Sequence, residues 1–574
     1  MSHATERKYY EPITDEVRQV LCDHPELVQQ LLFNRGIHTK EEAERFLSPD
    51  FDTGLHDPFL LTDMEKSANR ILEAIKNDEH VVIYSDYDCD GIPGGVLLHD
   101  FFTDIGFTNF ENYIPHRHVE GYGFNKDTIE KFIKNNTKLI VTVDCGITDH
   151  EAVDKASGEG IDVIVTDHHE VGERGVPNAY AVVNPKRDDA YPFKGLCGTG
   201  VAYKLVEAVL KLGRERGVID LPEGKEKWLL DLVGIATIAD MVPLVDENRV
   251  FAHYGLYVLR KSQRPGIGHL LRKAGGNQRF LTEDDIGFTI APRINAASRM
   301  DDPEDAFHML RTRDELEAGT YVAHLEKLNN ERKGVVASMT KEANKKMKSH
   351  TELPDVVVIG NPEWRPSLAG LVANALAEKY QRPAFVWGRD GKEILKGSCR
   401  SDGVVSVVKL MEEAREAFLE FGGHHASGGF SVDAEHIHTL QDTLSVAYKA
   451  HKDEMKENDN PLRVDVTVQL DEINDAFTML VEKLGPYGIE NPKPIFEIKN
   501  VTPFDVQVFG KTKNHTKLKM RTPAGFIDAI AFFKLPEDFT VLPEKKKEHT
   551  LIAHIERSFF MGRRETRLRI IDVI

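Results

Sequence analysis

The sequence predicts an α/β fold built around a parallel sheet, with potential metal ligands gathered at one edge of that sheet. Short apolar runs alternate with amphipathic helical stretches between residues 61 and 255, and this alternation favours a parallel sheet with helices on both faces. Acidic and histidine residues follow each run directly. The strands are predicted at residues 81–84, 139–143 and 163–165, with a weaker strand pattern at 232–238.

The residues that follow these four runs carry carboxylates and imidazoles. The carboxyl ends of parallel strands share one edge of an open α/β sheet, so these side chains are expected to converge there. Carboxylates packed closely repel one another unless cations hold them together. We therefore predict a site for two divalent ions, and carboxylate oxygens with neutral imidazole suit Mn²⁺ and tolerate Mg²⁺. The residues are Asp86, Asp88, Asp90, Asp144, Asp167, His168, His169 and Asp240.

The first cluster also imitates the start of an EF-hand calcium loop, because Asp86, Asp88 and Asp90 alternate before Gly91. That loop needs a glutamate at its twelfth position, which here is Leu97. It also needs a preceding helix, whereas an apolar strand pattern precedes this cluster. The EF-hand interpretation is therefore disfavoured, and a solvated acidic turn is the plainer alternative to a metal site.

The rest of the chain predicts further units on either side of this sheet. Thr39 and Glu42 form a helix-capping signal near the N-terminus. Residues 303–349 contain little glycine or proline and predict a long helix or a helix pair between domains. A second α/β unit has predicted strands at 356–359 and 384–387, and the last hundred or so residues favour a small β-barrel. The predicted units are an N-terminal helical segment (1–60), the catalytic sheet domain (61–255), a helical connector (256–350), the second α/β domain (351–452) and the barrel (461–574).

Composition excludes several classes of protein. The 574 residues exceed what one core holds, and the formal net charge of −20 gives no global basic footprint for nucleic acid, although local basic patches remain compatible with it. Five scattered cysteines without a C-x-x-C pair argue against a disulfide framework or a zinc site. No apolar run approaches the length of a membrane span, and no signal peptide is visible, so a cytoplasmic protein is expected.

The ordered motifs resemble one known superfamily. DYDCDG (86–91), DCG (144–146), DHH (167–169) and ATIADMVPL (236–244) are similar to the motifs of DHH phosphoesterases. Within that superfamily the chain resembles the bacterial RecJ single-strand-specific exonucleases over nearly all of its length from about residue 30. Further segments carry this resemblance, among them YIPHR (113–117), EGYG (120–123), PRINA (292–296), GSCRS (397–401), GGH (422–424) and PYGIENPKP (486–494).

The resemblance implies roles for individual residues. It makes Asp88, Asp90, Asp144, His168 and Asp240 metal ligands, with Asp86 a further ligand or a neighbour that supports them. Asp144 would bridge two ions, His169 would lie beside the scissile phosphate and Asp167 would orient the histidine pair; the catalytic residues are thus His169, Asp144 and Arg293. The residues implied to hold substrate are Arg117, Arg293, Asn295, Arg299, Ser398, Arg400, Gly422, Gly423 and His424.

The resemblance also implies an activity and a setting. It implies hydrolysis of single-stranded DNA from the 5′ end to mononucleotides with two Mn²⁺ or Mg²⁺ ions, in DNA repair and recombination. A DHHA1-type second domain and an OB-like barrel are implied, as are a helicase and a single-strand-binding protein as partners of a monomer. Two alternatives stay open: a DHH phosphodiesterase acting on short oligoribonucleotides or cyclic dinucleotides, and a non-catalytic replication scaffold.

The chain departs from the family pattern at a few positions. Ser298 stands where glycine is usual, and Arg365 and Ser367 fall within a segment that commonly reads Trp-His-x-Gly-Val. These changes put substrate contacts of the second domain in question but remove no predicted metal ligand. In the barrel, an alternating basic stripe is expected to suit a phosphate backbone or to be an ordinary solvated face. Its residues are Lys511, Lys513, Lys517 and Lys519.

Overall fold

The computed structural model describes residues 7–349, 352–389, 394–452, 462–510, 512–523, 525–560 and 563–574. The N-terminal segment begins with a short strand, β1 (Arg7–Tyr9), followed by three helices. Thr39 caps the third of these and Glu42 completes a capping box, as the sequence predicts. The helices are α1 (Asp15–Val20), α2 (Glu26–Phe33) and α3 (Lys40–Leu47).

The catalytic sheet domain contains a five-stranded, fully parallel sheet in the order β3-β2-β4-β5-β6. The central strands are buried on both faces, which is why they read as continuous apolar runs. Predicted strands 81–84, 139–143 and 163–165 are confirmed in β2, β4 and β5. The strands are β2 (Val81–Ser85), β3 (Phe110–Tyr113), β4 (Leu139–Val143), β5 (Asp162–Thr166) and β6 (Ala181–Val183).

Helices cover both faces of this sheet. One face packs against α4, α5 and α8, with α9 behind α5 and α8, and the other face packs against α6 and α7. The helices are α4 (Met64–Asn77), α5 (Gly91–Asp104), α6 (Ile129–Lys134), α7 (His150–Gly158), α8 (Gly198–Glu215), α9 (Leu230–Ala239) and α10 (Asp246–Leu259).

The strand predicted at residues 232–238 is wrong, because this run lies inside helix α9. Its residues from 230 to 237 are all buried, between α5, α8 and α10. A helix buried on every side shows no 3.6-residue periodicity and cannot be told from a buried strand by pattern alone. The helix nevertheless ends at Asp240, so the acidic residue keeps its predicted place at the sheet edge.

The connector is helical and includes the predicted helix pair. Its longest helix, α15, has 33 residues, and Asp314 caps its start by accepting from the backbone N–H groups of Leu316 and Glu317. At 1.5 Å per residue, α15 is about 50 Å long and reaches from the catalytic domain to the second α/β domain. The helices are α11 (Pro265–Lys273), α12 (Glu283–Asp285), α13 (Ala291–Met300), α14 (Glu304–Arg311) and α15 (Glu315–Met347).

The second α/β domain has a five-stranded mixed sheet in the order β10-β11-β9-β8-β7. The strands predicted at 356–359 and 384–387 are confirmed in β7 and β8. The elements are β7 (Val357–Gly360), α16 (Pro366–Tyr380), β8 (Ala384–Arg389), β9 (Leu395–Arg400), α17 (Val407–Glu413), β10 (Glu420–Gly423), β11 (Ser427–Val432) and α18 (Leu440–Lys452).

The C-terminal domain is the predicted barrel, a seven-stranded sheet in the order β13-β14-β18-β19-β17-β16-β15. Strands β14 and β15 lie near opposite edges of this order, yet a single residue separates them in the chain. The sheet therefore curls round until its two edges approach each other, which closes it into a barrel. The elements are β12 (Leu462–Val464), β13 (Val466–Gln469), α19 (Asp475–Glu482), β14 (Phe496–Val501), β15 (Pro503–Phe509), β16 (His515–Thr522), β17 (Gly525–Ala531), β18 (His549–Phe560) and β19 (Arg563–Val573).

The N-terminal segment packs on this barrel as well as on the catalytic domain. Strand β1 pairs in parallel with β12, and Leu31 of α2 lies in the hydrophobic core of the barrel. Asn34 donates its side-chain amide to the carboxylate of Asp465 at 3.1 Å. The two ends of the chain therefore meet in one packed unit. No helix in the described ranges is long and apolar enough to cross a membrane.

Candidate metal centre

The predicted ligands converge at the carboxyl edge of the parallel sheet. Asp86, Asp88 and Asp90 occupy the turn from β2 into α5, Asp144 follows β4, and Asp240 ends α9. Asp167, His168 and His169 follow β5. Three groups have donor atoms within 4.8 Å of one another. The groups are Asp86, Asp88 and Asp144; Asp90, His168 and Asp240; and Asp144, His168 and His169.

The N-terminus of α8 fixes the carboxylate of Asp90. Its oxygens accept from the backbone N–H groups of Gly198 at 2.6 Å and Thr199 at 2.8 Å. These are orphan donors of a helix start, where a negative charge is favoured. Gly198 is required by space, because a Cβ there would lie 2.5 Å from the Cβ of Asp144. The helix start and the two carboxylate turns are therefore packed in direct contact.

Asp144 occupies the centre of the cluster in an unusual backbone conformation. Its φ of 61° lies in the left-handed region, which few residues other than glycine, asparagine and aspartate adopt readily. Its Oδ1 lies 3.2 Å from Nε2 of His168 and 3.7 Å from Nδ1 of His169. The side chain therefore faces both metal-binding groups that contain it, which suits a bridging carboxylate.

The carboxylates are held in an environment that disfavours their charge. Burial and neighbouring carboxylates raise the pKa of Asp90 to about 6 and that of Asp240 to about 9. The same causes raise the pKa values of Asp86 and Asp144 well above the ordinary range. One carboxylate oxygen of each of these last two is buried and accepts no hydrogen bond within the described residues. Ionising the whole cluster therefore requires added positive charge.

The two histidines differ in protonation. Burial lowers the pKa of His168 to about 3, so its ring is neutral and free to act as a ligand. Burial opposes the charge on His169 too, but the hydrogen bond and negative charge of Asp167 outweigh it and raise the pKa of His169 to about 9. The Nδ1 atom of His169 lies 2.8 Å from Asp167 Oδ1. The pair therefore provides one neutral ligand and one cation.

These observations fit divalent metal ions as the missing charge. The donors are carboxylate oxygens and one neutral imidazole, and no cysteine belongs to the groups found in the described residues. Oxygen-rich sets of this kind suit Mn²⁺ and Mg²⁺ rather than ions that prefer sulfur. The buried oxygens of Asp86 and Asp144 without hydrogen bonds are the positions where such ions would be expected.

Several arginines lie beside the carboxylate cluster. The guanidinium of Arg117 stacks over the ring of Tyr87, 4.9 Å from the ring centroid. Burial, together with the charges of Arg117, Arg332 and Arg400, lowers the pKa of Arg299 to about 9. Mutual repulsion among guanidinium groups next to an acidic cluster is typical of a site prepared for a polyanion.

Two predicted substrate residues make contacts inside the protein instead. Arg293 donates to Glu326 of α15 at 2.6 Å and to the backbone oxygen of Thr289. The side-chain oxygen of Asn295 accepts from the backbone N–H of Cys89 at 2.9 Å. In this state Arg293 therefore ties α13 to α15, and Asn295 braces the metal-binding turn. Their predicted contacts with phosphate stay predictions.

The second α/β domain brings its predicted residues toward the same cleft. Arg400 ends β9, and a Cβ on Gly370 of α16 would lie 3.1 Å from its Nη2. Ser398 lies in β9, and Gly422 and Gly423 end β10. His424 follows them, and burial together with the charges of His169 and Lys186 lowers its pKa. The electrostatic influence of His169 shows that the His424 turn lies near that histidine.

The departures from the family pattern have structural consequences. The Ser367 hydroxyl donates to the backbone oxygen of Arg299 at 2.9 Å, and the Arg299 guanidinium donates back to the backbone oxygen of Ser367 at 2.9 Å. This reciprocal pair joins α16 of the second domain to α13. Arg365 lies next to it, with Nη1 4.0 Å from Met300 Sδ. The hydroxyl of Ser298 is fully buried and has no hydrogen-bond partner within the described residues.

Sequence reasoning missed the aromatic residues that line the site and the barrel surface. The Tyr122 hydroxyl contacts both Asp144 and His169. In the sequence, the motif EGYG that contains Tyr122 supported the family resemblance but predicted no role for this residue. In the barrel, Phe496 is fully buried and unable to stack on a base, whereas Phe526 is 54% exposed beneath the ammonium of Lys519. Along β16 every second residue is buried, and this alternation in the sequence could have predicted an exposed face on the strand.

Lys511 of the predicted basic stripe lies outside the described residues.

Comparison with known proteins agrees with this geometry. The chain matches the models of the DHH family N-terminal domain (residues 80–237), the DHHA1 domain (354–450) and the RecJ OB domain (464–572). It is 31% identical to the single-stranded-DNA-specific exonuclease RecJ of Haemophilus influenzae over 571 residues, which cover 96% of each chain. It is 36% identical to the Bacillus subtilis protein of the same name over 88% of this chain, spanning 63% of that longer relative.

Solved structures give the same answer. The crystal structure of RecJ from Thermus thermophilus in complex with Mn²⁺ superposes with a TM-score of 0.79 at 25% identity. The match covers 99% of this chain and 79% of the other. The DHH metal motifs, the DHHA1 domain and the OB barrel thus occur together and in the same order. The chain belongs to the RecJ family.

Proposed function

We propose that this chain is a single-stranded-DNA-specific exonuclease that hydrolyses phosphodiester bonds with two divalent ions, Mn²⁺ or Mg²⁺. The observation that carries the proposal is the convergence of six acidic or imidazole ligands, two with buried carboxylate oxygens that lack hydrogen bonds, beside a cluster of arginines. The acidic ligands would bind cations, and the arginines beside them would attract an anion. A phosphate that contacts both the metal ions and the arginines suits such a site.

Bound metal ions would acidify a water molecule and stabilise the leaving oxygen. Asp86, Asp88, Asp90, Asp144, His168 and Asp240 are the residues that would hold them. In the metal-free protein, the hydrogen bond and the charge of Asp167 raise the pKa of His169 to about 9. Its charged ring can therefore donate a hydrogen bond to a phosphate oxygen and neutralise the charge that develops there.

Substrate phosphates would be held by guanidinium groups that are not neutralised by the protein. Arg117 contacts an aromatic ring, while Arg299 and Arg400 donate to backbone oxygens. Among the described residues, none of the three has a carboxylate partner within salt-bridge distance, so each retains its charge for a ligand. Guanidinium groups bind phosphate bidentately, which orients it as well as attracting it.

The barrel supports a single-stranded substrate. Its β16–β17 face presents Lys519 and the half-exposed ring of Phe526, with a second exposed ring at Phe504 5.6 Å from that of Phe526. Bases of a single strand are free to stack on such rings, whereas bases inside a duplex are not. We further propose the features that the family resemblance implies: 5′-to-3′ polarity, mononucleotide products, and a monomer that acts in the cytoplasm with a helicase and a single-strand-binding protein.

The test is cleavage of one DNA oligonucleotide labelled at either its 5′ or its 3′ end, with Mn²⁺, Mg²⁺ or EDTA. Immediate release of labelled mononucleotide from the 5′-labelled strand alone, and only with metal, is the expected result. Duplex DNA of the same sequence should resist. Cleavage of short oligoribonucleotides or cyclic dinucleotides alone would replace the proposal with the phosphodiesterase alternative, and binding without cleavage would favour a scaffold.

A further inference from the structure

Tyr122 lies in the loop between β3 and α6 and points its hydroxyl into the metal centre. The hydroxyl oxygen lies 3.4 Å from the backbone oxygen of Asp144, 3.3 Å from Nδ1 of His169 and 3.5 Å from its Nε2. The two rings meet edge to face, with centroids 5.9 Å apart. One hydroxyl therefore touches the backbone of the expected bridging ligand and the ring expected beside the scissile phosphate.

The protein anchors the loop on both sides of this residue. Before it, Glu120 accepts from the Tyr113 hydroxyl and from the backbone N–H of His116, both at 2.6 Å. After it, Asp149 accepts from the backbone N–H of Phe124 at 2.6 Å.

The glycines on either side of Tyr122 allow this course of the backbone. Gly121 and Gly123 have φ values of 88° and 90°, a region that glycine adopts without strain. A Cβ on Gly123 would also lie 2.8 Å from the carboxylate oxygens of Asp149. The position of Tyr122 is thus built by the fold, even though the residue is 54% exposed.

The hydrogen bond with Asp167 holds His169 at one ring nitrogen only. A ring held at one nitrogen can still tilt about that contact, and the Tyr122 hydroxyl lies at nearly equal distances from both ring nitrogens, where it limits that tilt. Because the Asp144 backbone oxygen can only accept, the phenol proton points toward it. The oxygen lone pairs of Tyr122 then face the His169 ring.

We propose that Tyr122 is a positioning residue that fixes the His169 ring, and with it the Asp144 peptide, for phosphodiester hydrolysis. The inference rests on the proposed function, but it assigns a role to a residue outside the ligand and phosphate sets. Tyr122 acts on the reaction through His169. Its removal should therefore lower the turnover number rather than weaken the binding of substrate or metal.

The kinetic test is Tyr122→Phe, which keeps the ring and removes the hydroxyl. The turnover number should fall roughly tenfold, in the range that small displacements of a reacting group produce, while KM and calorimetric Mg²⁺ affinity stay unchanged. Tyr254→Phe is the matched control, since it removes a hydroxyl that bonds to the backbone oxygen of Pro49. In a His169→Ala background, Tyr122→Phe should have no further effect. An equal loss in both backgrounds overturns the inference.

A second readout needs no substrate. Side-chain ¹⁵N NMR of the Mg²⁺-bound protein, with the His169 signals identified by their loss in His169→Ala, should show them shifted in Tyr122→Phe and unchanged in Tyr254→Phe. Unchanged His169 signals in Tyr122→Phe overturn the inference even if the enzyme is active. A wild-type protein that cleaves no single strand overturns the proposed function instead, and leaves the NMR result to decide the role of Tyr122.

Discussion

The Nε2 atom of His168 lies 3.2 Å from Oδ1 of Asp144, although the two residues follow different strands, β5 and β4. The parallel sheet creates this contact, because adjacent strands deliver their next residues to the same edge. Both side chains are buried, and the pKa shifts of both favour their neutral forms. The pair is therefore arranged to bind a metal ion.

Replacing Asp144 with asparagine should separate the chemistry from the fold. Asparagine tolerates the positive φ at this position better than alanine does. Asparagine cannot ionise, so the metal-free protein no longer has to hold a carboxyl whose ionisation is opposed by burial and by neighbouring carboxylates. Its free energy of unfolding should therefore rise. Cleavage of single-stranded DNA should become undetectable. Metal-dependent cleavage at the wild-type rate would contradict the assignment of Asp144.

Gly198→Ala should damage the metal centre without touching a ligand. The added Cβ would meet the Cβ of Asp144 at 2.5 Å, so α8 and the Asp144 turn must separate. We expect a destabilisation of about 1–3 kcal/mol and weaker Mg²⁺ binding by calorimetry. Gly334→Ala in α15 is the control, because a Cβ there meets nothing within 4 Å and should stabilise the helix by about 0.5–1 kcal/mol. Equal effects of the two variants would count against the packing argument.

The stability of the metal-free protein should fall as pH rises from 6.5 to 9. Burial and neighbouring carboxylates raise the pKa of Asp90 to about 6 and that of Asp240 to about 9. Stability from a carboxylate with a raised pKa is lost as pH rises through the folded value. For Asp240 the loss is about 1 kcal/mol per pH unit. His169, whose pKa is about 9 in the folded protein, loses its proton over the same range and adds to the fall. His168 is neutral in the folded protein, and its unfolded imidazole, with an ordinary pKa of about 6.5, opposes the fall only near pH 6.5.

Urea unfolding in EDTA at pH 6.5, 7.5 and 8.5 measures this dependence. Saturating Mg²⁺ should flatten or reverse it, since the bound ion favours the ionised carboxylates. A metal-free protein whose stability is constant or rises over this range would show that the carboxylates are already neutralised by the chain.

Ser367→Ala should loosen the contact between the second α/β domain and α13. It removes the hydrogen bond from the Ser367 hydroxyl to the Arg299 backbone oxygen, worth about 1 kcal/mol. Since Arg299 is expected to hold a phosphate, KM for single-stranded DNA should rise roughly three- to tenfold, with a smaller change in turnover. Ser349→Ala removes a comparable hydrogen bond to the Lys346 backbone oxygen. An equal change in KM for both variants would sink the interpretation.

The sequence predicted those parts of the site that depend on strand order. Buried apolar runs located β2, β4 and β5, and the residues after them had to share an edge. It failed at 232–238 because a fully buried helix has no polar face to reveal its period. Asp240 was still placed correctly, since a helix end and a strand end can occupy the same edge of the sheet.

The contacts that sequence could not provide join residues far apart in the chain. The bond between Asn295 and the Cys89 backbone spans 206 positions, and the Arg293–Glu326 pair depends on how α13 packs against α15. An asparagine or an arginine in a sequence can bind a substrate phosphate or another part of the protein, and the residue type alone does not distinguish the two. Tyr122 was missed for the same reason, because its role depends on a loop course set by Glu120 and Asp149.

The pairing of β1 with β12, and the place of Leu31 in the barrel core, bear on how the chain is made. A ribosome releases these helices more than four hundred residues before the barrel strands that they pack against. At about 5–20 residues per second, this wait is on the order of a minute. During that time the apolar face around Leu31 has no barrel to cover it and stays exposed to solvent.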